Sequence, residues 1–171
     1  DRSPSRGLGD VYKRQMQNKK TKELTLLAIL TALSVTFGFV AKIPTPTGLL
    51  TLVDAGIYFT AFYLGKKEGA IVGGLSAFLI DLLSSAPQWM FISLLIHGAQ
   101  GYFAGFKGNY RILGLLIAAV VMVGGYALAS VFMYGIGASI AEVIPNFCQN
   151  ALGVVVGWVL YQGFKKVQSN K

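Results

Sequence analysis

Between Ile112 and Ile136 the chain carries no charged side chain. A stretch of that length is long enough to cross the apolar core of a bilayer, roughly 30 Å thick. It must cross as a helix, because lipid leaves every backbone polar group to be satisfied internally. Five further apolar segments accompany it: Leu24–Ala41, about Val53–Gly65, Gly69–Leu83, Met90–Phe106 and about Asn146–Phe164. Only 13% of the 171 residues are charged, against roughly 25% in soluble domains. The expected fold is therefore an all-α integral membrane protein, a compact bundle of six transmembrane helices. The second and third segments fall short of the roughly 20 residues of a full span. They either recruit loop residues or cross only part of the membrane.

The basic residues give an orientation. Lys19, Lys20 and Lys22 precede the first segment, and Lys66 and Lys67 separate the second from the third. Lys107 and Arg111 separate the fourth from the fifth, and Lys165, Lys166 and Lys171 follow the sixth. In a six-span layout all of these fall on one side and only Lys42 on the other. The positive-inside rule makes the crowded side cytoplasmic, with both termini inside a multi-pass cell-membrane protein. Basic residues dispersed at segment ends fit membrane topology and not a nucleic-acid face. Cys148 is the single cysteine, which excludes an internal disulfide.

Residues 1–15, DRSPSRGLGDVYKRQ, are polar and precede Met16. Asp10–Gln15 is also what one frame of a common transposase sequencing-adapter end encodes. This stretch reads as a non-native leader or a disordered tail, with a single six-helix membrane domain over residues 16–171.

The outer side receives three connections: Lys42–Leu52, Ser84–Trp89 and Gly137–Pro145. The first is the most built. Pro44 and Pro46 remove backbone donors and push their predecessors away from helix. It reads as a lid, with Gly48 as its pliable point and Asp54 at its end. Three GxxxG pairs, Gly69/Gly73, Gly101/Gly105 and Gly153/Gly157, point to closely packed helices.

Ionisable and amide side chains at membrane depth are candidate functional groups. Asp54 opens the second segment and reads either as a helix N-cap or as a ligand contact. Asp81 is open between partner, cap and pocket lining. Glu142 falls in the last outer loop. His97, the only histidine, shares a helical face with Gln100. Asn146, Gln149 and Asn150 stand at i, i+3 and i+4, so three amides share one face. Amides suit a neutral heterocycle with ring nitrogens and hydroxyls; their other reading is interhelical glue. Gln88 and Trp89 follow Pro87 in the second outer loop, where Trp89 is either an interface anchor or a stacking surface. Tyr126 and Tyr134 lie near the same end. No Walker A, HExxH, CxxC or GxSxG pattern is present. One histidine and one cysteine build no convincing metal site, and no cofactor is implied. Ser93 and His97 are four apart on one helix, with no oxyanion site beside them.

Three stretches carry a resemblance. TPTGLLTLVDAGIYFTAFYLGKKEGAIVGGLSAFLIDLLS, PQWMFISLLIHGAQGYFAG and NFCQNALG are similar to the S components, or substrate-binding subunits, of energy-coupling factor (ECF) vitamin transporters. The likeness is to those assigned to hydroxymethylpyrimidine or pyridoxine. It implies high-affinity capture of a small vitamin from outside, under a first loop that closes over the site. It also implies docking on a transmembrane coupling subunit driven by two ATP-binding-cassette ATPases. The AxxxA pattern of Ala28 and Ala32 in the first helix is the implied docking face. The chain would then be a binding protein and not an enzyme. The alternatives are riboflavin or another B vitamin as ligand, or, from a different class, a small membrane enzyme using His97 with Asp81 or Glu142.

Overall fold

The computed structural model describes residues 4–45 and 49–170. The described residues form six α-helices and one short antiparallel ribbon: α1 (Pro4–Val40), β1 (Lys42–Pro44), β2 (Leu49–Thr51), α2 (Val53–Tyr63), α3 (Lys66–Leu83), α4 (Met90–Ala104), α5 (Arg111–Tyr134) and α6 (Ile136–Ser169). A 3-10 turn, Gly108–Tyr110, leads into α5. Among the described residues, three stretches are long and apolar enough to cross a membrane: Gln15–Val40, Gly108–Tyr134 and Ile136–Ser169. The shorter α4 is apolar throughout most of its length. At 1.5 Å per residue, α2 reaches only about 16 Å and α4 about 22 Å.

The shortest helix sits at the centre. Nearly all of α2 is buried, from Val53 through Tyr58 and on to Thr60, Ala61 and Phe62. It packs on α1, α3, α4 and α6. A helix that is apolar on every side has no face for solvent or lipid and belongs in a core. Around it, large apolar side chains point outward: Ile29 and Leu33 on α1, Leu116, Val120 and Phe132 on α5, Val155 and Val159 on α6. That outer shell is what a bilayer solvates.

Glycines set the spacing between the helices. A Cβ on Gly101 of α4 would strike the carbonyl of Gly69 on α3, and one on Gly73 would strike the carbonyl of His97. Helices α3 and α4 therefore touch backbone to backbone. Gly153 and Gly157 do the same for α6 against Asp54 and Tyr58 of α2. All three GxxxG pairs thus lie at close approaches, with Gly105 set against the Gly65–Lys66 turn. Gly65 turns the chain between α2 and α3 at φ +124°, a conformation nearly closed to L side chains.

The two ends of the bundle differ. At one end stand Lys66, Lys107 and Arg111; Lys66 lies over the rings of Tyr102 and Phe106, and Arg111 lies 5.2 Å from the Trp158 ring centroid. At the other end are the ribbon, the Ser84–Trp89 turn and the start of α6. Lys42 is the basic residue there, 5.2 Å over the Phe39 ring.

Two expectations about this second end change. The first outer connection is a hairpin, with Lys42 paired to Thr51, Ile43 to Leu50 and Pro44 to Leu49. Leu52 N–H extends the pairing to the Ala41 carbonyl (3.1 Å). Pro46 and Gly48 lie outside the described residues. The expected third loop, Gly137–Pro145, is helix: α6 begins at Ile136 and runs through Pro145. Proline in a helix interior removes one hydrogen bond, but this turn is held from outside. Ser139 Oγ donates to the Ala127 carbonyl of α5 (2.8 Å), and Glu142 and Asn146 are buried.

The close approaches yield a paired prediction. Gly101→Ala forces a side chain into the Gly69 carbonyl and should cost about 1–3 kcal/mol of stability. Gly163→Ala, which meets nothing within 4 Å, should leave stability unchanged or slightly raised. Thermal unfolding of both variants in detergent checks the contrast; equal melting temperatures would mean that the α3–α4 contact can relax.

Candidate functional site

The site is built in two layers, a cavity and a buried polar node beside it. Asp54 lies in the first turn of α2 and is fully buried. A carboxylate without water must be satisfied by donors or be neutralised. Gln100 of α4 provides one donor, its Nε2 lying 3.2 Å from Asp54 Oδ2. His97 Nδ1 stands 3.3 Å from Asp54 Oδ1 and donates to Gln100 Oε1 at 2.6 Å. The same Gln100 Nε2 reaches Asn150 Oδ1 of α6 at 3.0 Å. Tyr58, one turn after Asp54, donates its hydroxyl to Asn150 Oδ1 at 2.5 Å. Five side chains from α2, α4 and α6 thus form one network, all of them buried.

Asp54 is accordingly not a helix cap. The N-cap position of α2 is Leu52, which makes no side-chain cap bond. The Val53 N–H instead donates to Thr51 Oγ1 at 3.4 Å. Freed from capping, Asp54 faces inward to α4, and it belongs to the helix and not to the lid.

The cavity adjoins this node at the ribbon end. Leu49 from β2, Asp81 from α3, Trp89 and Ser93 at the start of α4, Tyr126 and Ser130 from α5, and Glu142 and Asn146 from α6 line it. The enclosed space is small, about 30 Å³, well below the roughly 300–1,000 Å³ usual for small-molecule sites. Trp89 and Tyr126 stand with ring centroids 5.6 Å apart, an aromatic wall for a flat ring. The Tyr126 hydroxyl donates to Ser93 Oγ at 2.6 Å, and its ring meets His97 edge-on at 5.6 Å. Two buried atoms facing this space, Asp81 Oδ2 and Ser130 Oγ, have no hydrogen-bond partner among the described residues.

The residues singled out in the sequence separate by depth. Trp89, Tyr126, Glu142 and Asn146 line the cavity. His97, Gln100 and Asn150 belong to the node. Gln149 accepts from the Thr51 N–H at 2.6 Å, so it fastens the ribbon to α6 and does not line the space. Gln88 is exposed beside Pro87, outside the cavity, because the turn into α4 directs Trp89 inward instead. Tyr134, 5.9 Å from Trp89 between ring centroids, extends the aromatic wall outward. Pro44 is exposed on the ribbon. Ser130 and Tyr58 were not singled out. Ser130 and Tyr58 each fall four residues after a residue that was, Tyr126 and Asp54, and share its helical face. Leu49 belongs to the first outer connection, the one read as a lid, and lines the cavity.

Helices wrapped around a small polar and aromatic cavity under a hairpin define a membrane-embedded binding protein. The family described as "ECF-type riboflavin transporter, S component" matches residues 18–166. The chain belongs to that family: it is an S component of an ECF transporter. It is 48% identical over 148 residues to the thiamine precursor transporter HmpT of Lactococcus lactis subsp. cremoris, covering 85% of this chain and 89% of that protein. An uncharacterized protein of Pyrococcus woesei is 32% identical over 130 residues, covering 72% of this chain and 87% of its own. A solved structure described as "Structure and mechanism of the S component of a bacterial ECF transporter" superposes with a TM-score of 0.70. It shares 22% identity and covers 87% of this chain and 98% of that one, a likeness of fold alone. Membership places the protein in a membrane and implies in general a vitamin-class ligand and a coupling module with ATPases. The family and HmpT are described as transporter components and not as enzymes.

The node yields its own prediction. Gln100→Leu keeps the volume and removes every bond Gln100 makes, leaving Asp54 buried with fewer donors. Breaking one partner of a buried charged group costs about 3–5 kcal/mol. A large fall in melting temperature in detergent is expected; a variant as stable as the parent would mean that Asp54 is held by other groups.

Proposed function

We propose that this S component captures a single-ring thiamine precursor, hydroxymethylpyrimidine, at the outer face of the cell membrane. The observation that carries this reading is the 48% identity to a thiamine precursor transporter over 85% of the chain. The lining supports it, since the wall formed by Trp89 and Tyr126 suits one flat ring, with the polar groups of Glu142 and Asn146 beside it. Riboflavin remains the second reading because the family description names it. Pyridoxine, another single ring, is the third.

The residues proposed to meet the ligand are Trp89, Tyr126, Glu142 and Asn146 in the lining, with His97, Gln100 and Asn150 holding the lining in place. The ribbon containing Pro44 is the lid, fastened through Gln149. Six spans with both termini cytoplasmic remain the proposed topology, supported by Lys66, Lys67, Lys107 and Arg111 at the end away from the cavity. On the outside of the bundle, Leu24, Leu27, Ala28, Thr31 and Ala32 of α1 form an apolar groove with Ile71, Leu75 and Leu79 of α3. Ala28 and Ala32 are exposed there, as a face for the transmembrane coupling subunit requires, with two ATPases supplying the energy. Residues 1–15, ahead of the matched stretch, are proposed to be dispensable.

Calorimetry on the purified protein, with hydroxymethylpyrimidine, pyridoxine and riboflavin in turn and no ATP, tests the assignment. Saturable binding is expected for the pyrimidine; binding of riboflavin alone would overturn it. A chain starting at Met16 should bind with the same affinity. His97→Ala should cost at most a few kcal/mol of affinity, whereas turnover that this substitution abolished would revive the enzyme reading.

A further inference from the structure

Two observations in the cavity go beyond the identity of the ring. Asp81 is 9% exposed and Ser130 1% exposed, both line the cavity, and Asp81 Oδ2 and Ser130 Oγ each lack a hydrogen-bond partner among the described residues. Buried polar atoms are nearly always paired, and an unpaired carboxylate oxygen is the costlier exception. Asp54 Oδ1 in the node also has no hydrogen-bond partner among the described residues, but it stands 3.3 Å from His97 Nδ1; Asp81 and Ser130 instead line the space a ligand would fill. The rest of the lining is consistent with a donor-bearing ligand, for Glu142 is a second carboxylate there. The amides on α6 had pointed to a ligand balanced between donors and acceptors, yet only Asn146 of the three reaches the cavity.

We propose that Asp81 fixes the ligand's orientation by accepting a hydrogen bond from an exocyclic amine on the ring, so that the site selects amino-substituted nitrogen heterocycles. A carboxylate accepts and does not donate when ionised, so the edge it meets must carry N–H or O–H groups. An amine beside a ring nitrogen fits the pair. The amine donates to Asp81 Oδ2, and the Ser130 hydroxyl, which can donate or accept, serves the neighbouring ring nitrogen. Trp89 and Tyr126 would hold the ring's faces and leave this edge as the determinant of identity. The Asp81 side chain stands near the C-terminal end of α3, whose backbone α4 locks in place through Gly74 and Gly98. The acceptor is therefore held on a rigid element, as selective recognition requires.

This inference rests on the cavity being the site of a single-ring thiamine precursor, and the test separates the two. The probes are 4-amino-5-hydroxymethyl-2-methylpyrimidine and the same ring with hydrogen in place of the amine. Both are titrated into the unmodified protein and into Asp81→Ala. A site built to bond a polar group rejects an analogue lacking it strongly, so the deaminated ring should bind the unmodified protein at least about a hundredfold more weakly. In Asp81→Ala the amino ring should lose that advantage and bind like its analogue. Equal affinity of the two rings for the unmodified protein would overturn the role of Asp81 while leaving the proposed function standing. A preference that survived in Asp81→Ala would do the same. Binding of neither ring would overturn both. The comparison on the unmodified protein needs no variant, so a misfolded Asp81→Ala leaves it decisive.

Discussion

The structure depends on keeping one carboxylate, Asp54, away from water. A buried charge is tolerated only when donors surround it, and here they come from a different helix than the one that carries it. Gln100 and His97 belong to α4, and the tyrosine that joins the network, Tyr58, belongs to α2 itself. The network closes only if α6 also comes close enough for Asn150. That approach is possible because residue 153 has no side chain: a Cβ there would collide with the Cβ of Asp54. The charge and the glycine are thus two halves of one constraint. Loss of either moves α6 and with it the cavity residues Glu142 and Asn146.

The same stretch of α6 couples the node to the ribbon. Gln149 and Asn150 are consecutive, and one holds the Thr51 N–H while the other holds Tyr58. The ribbon's position is therefore set by the same turn that completes the node. Among the described residues, bonds to Gln149 and to the Ala41 carbonyl fasten it. Below it, α3 and α4 meet through glycine backbones and cannot slide without separating. In lipid, where no hydrophobic drive holds helices together, such close packing is the principal source of rigidity.

Much of this architecture was legible in the sequence, and the remainder failed for physical reasons. The apolar segments and the GxxxG pairs mark helices and their contacts because periodicity and residue size act locally. The ribbon was hidden because three-residue strands leave no alternation to read. The start of α6 was read as a loop because Glu142 and Pro145 are loop signals in isolation; burial of Glu142 and the bond from Ser139 to α5 override them. The three amides of α6 show the limit most clearly. Spacing at i, i+3 and i+4 fixes a shared face but says nothing of depth. One turn of helix separates a residue in the cavity from one on the ribbon and one in the node. Asp54 was misjudged likewise: its place at a helix start fits a cap, and only the position of α4 reveals what it faces.

The division between node and lining bears on how one fold serves different ligands. Fold does not determine function; the site does. Here the node residues are bonded to one another across helices, so exchanging any of them disturbs the bundle. The lining is different. Asp81 Oδ2 and Ser130 Oγ have no hydrogen-bond partner among the described residues. Such positions can change character without disturbing the helices. A family described by one vitamin and a relative described by the precursor of another are compatible on these terms. The scaffold is held by Asp54, its donors and the glycines, and on the function proposed above the choice of ring would fall to lining groups such as Asp81 and Ser130.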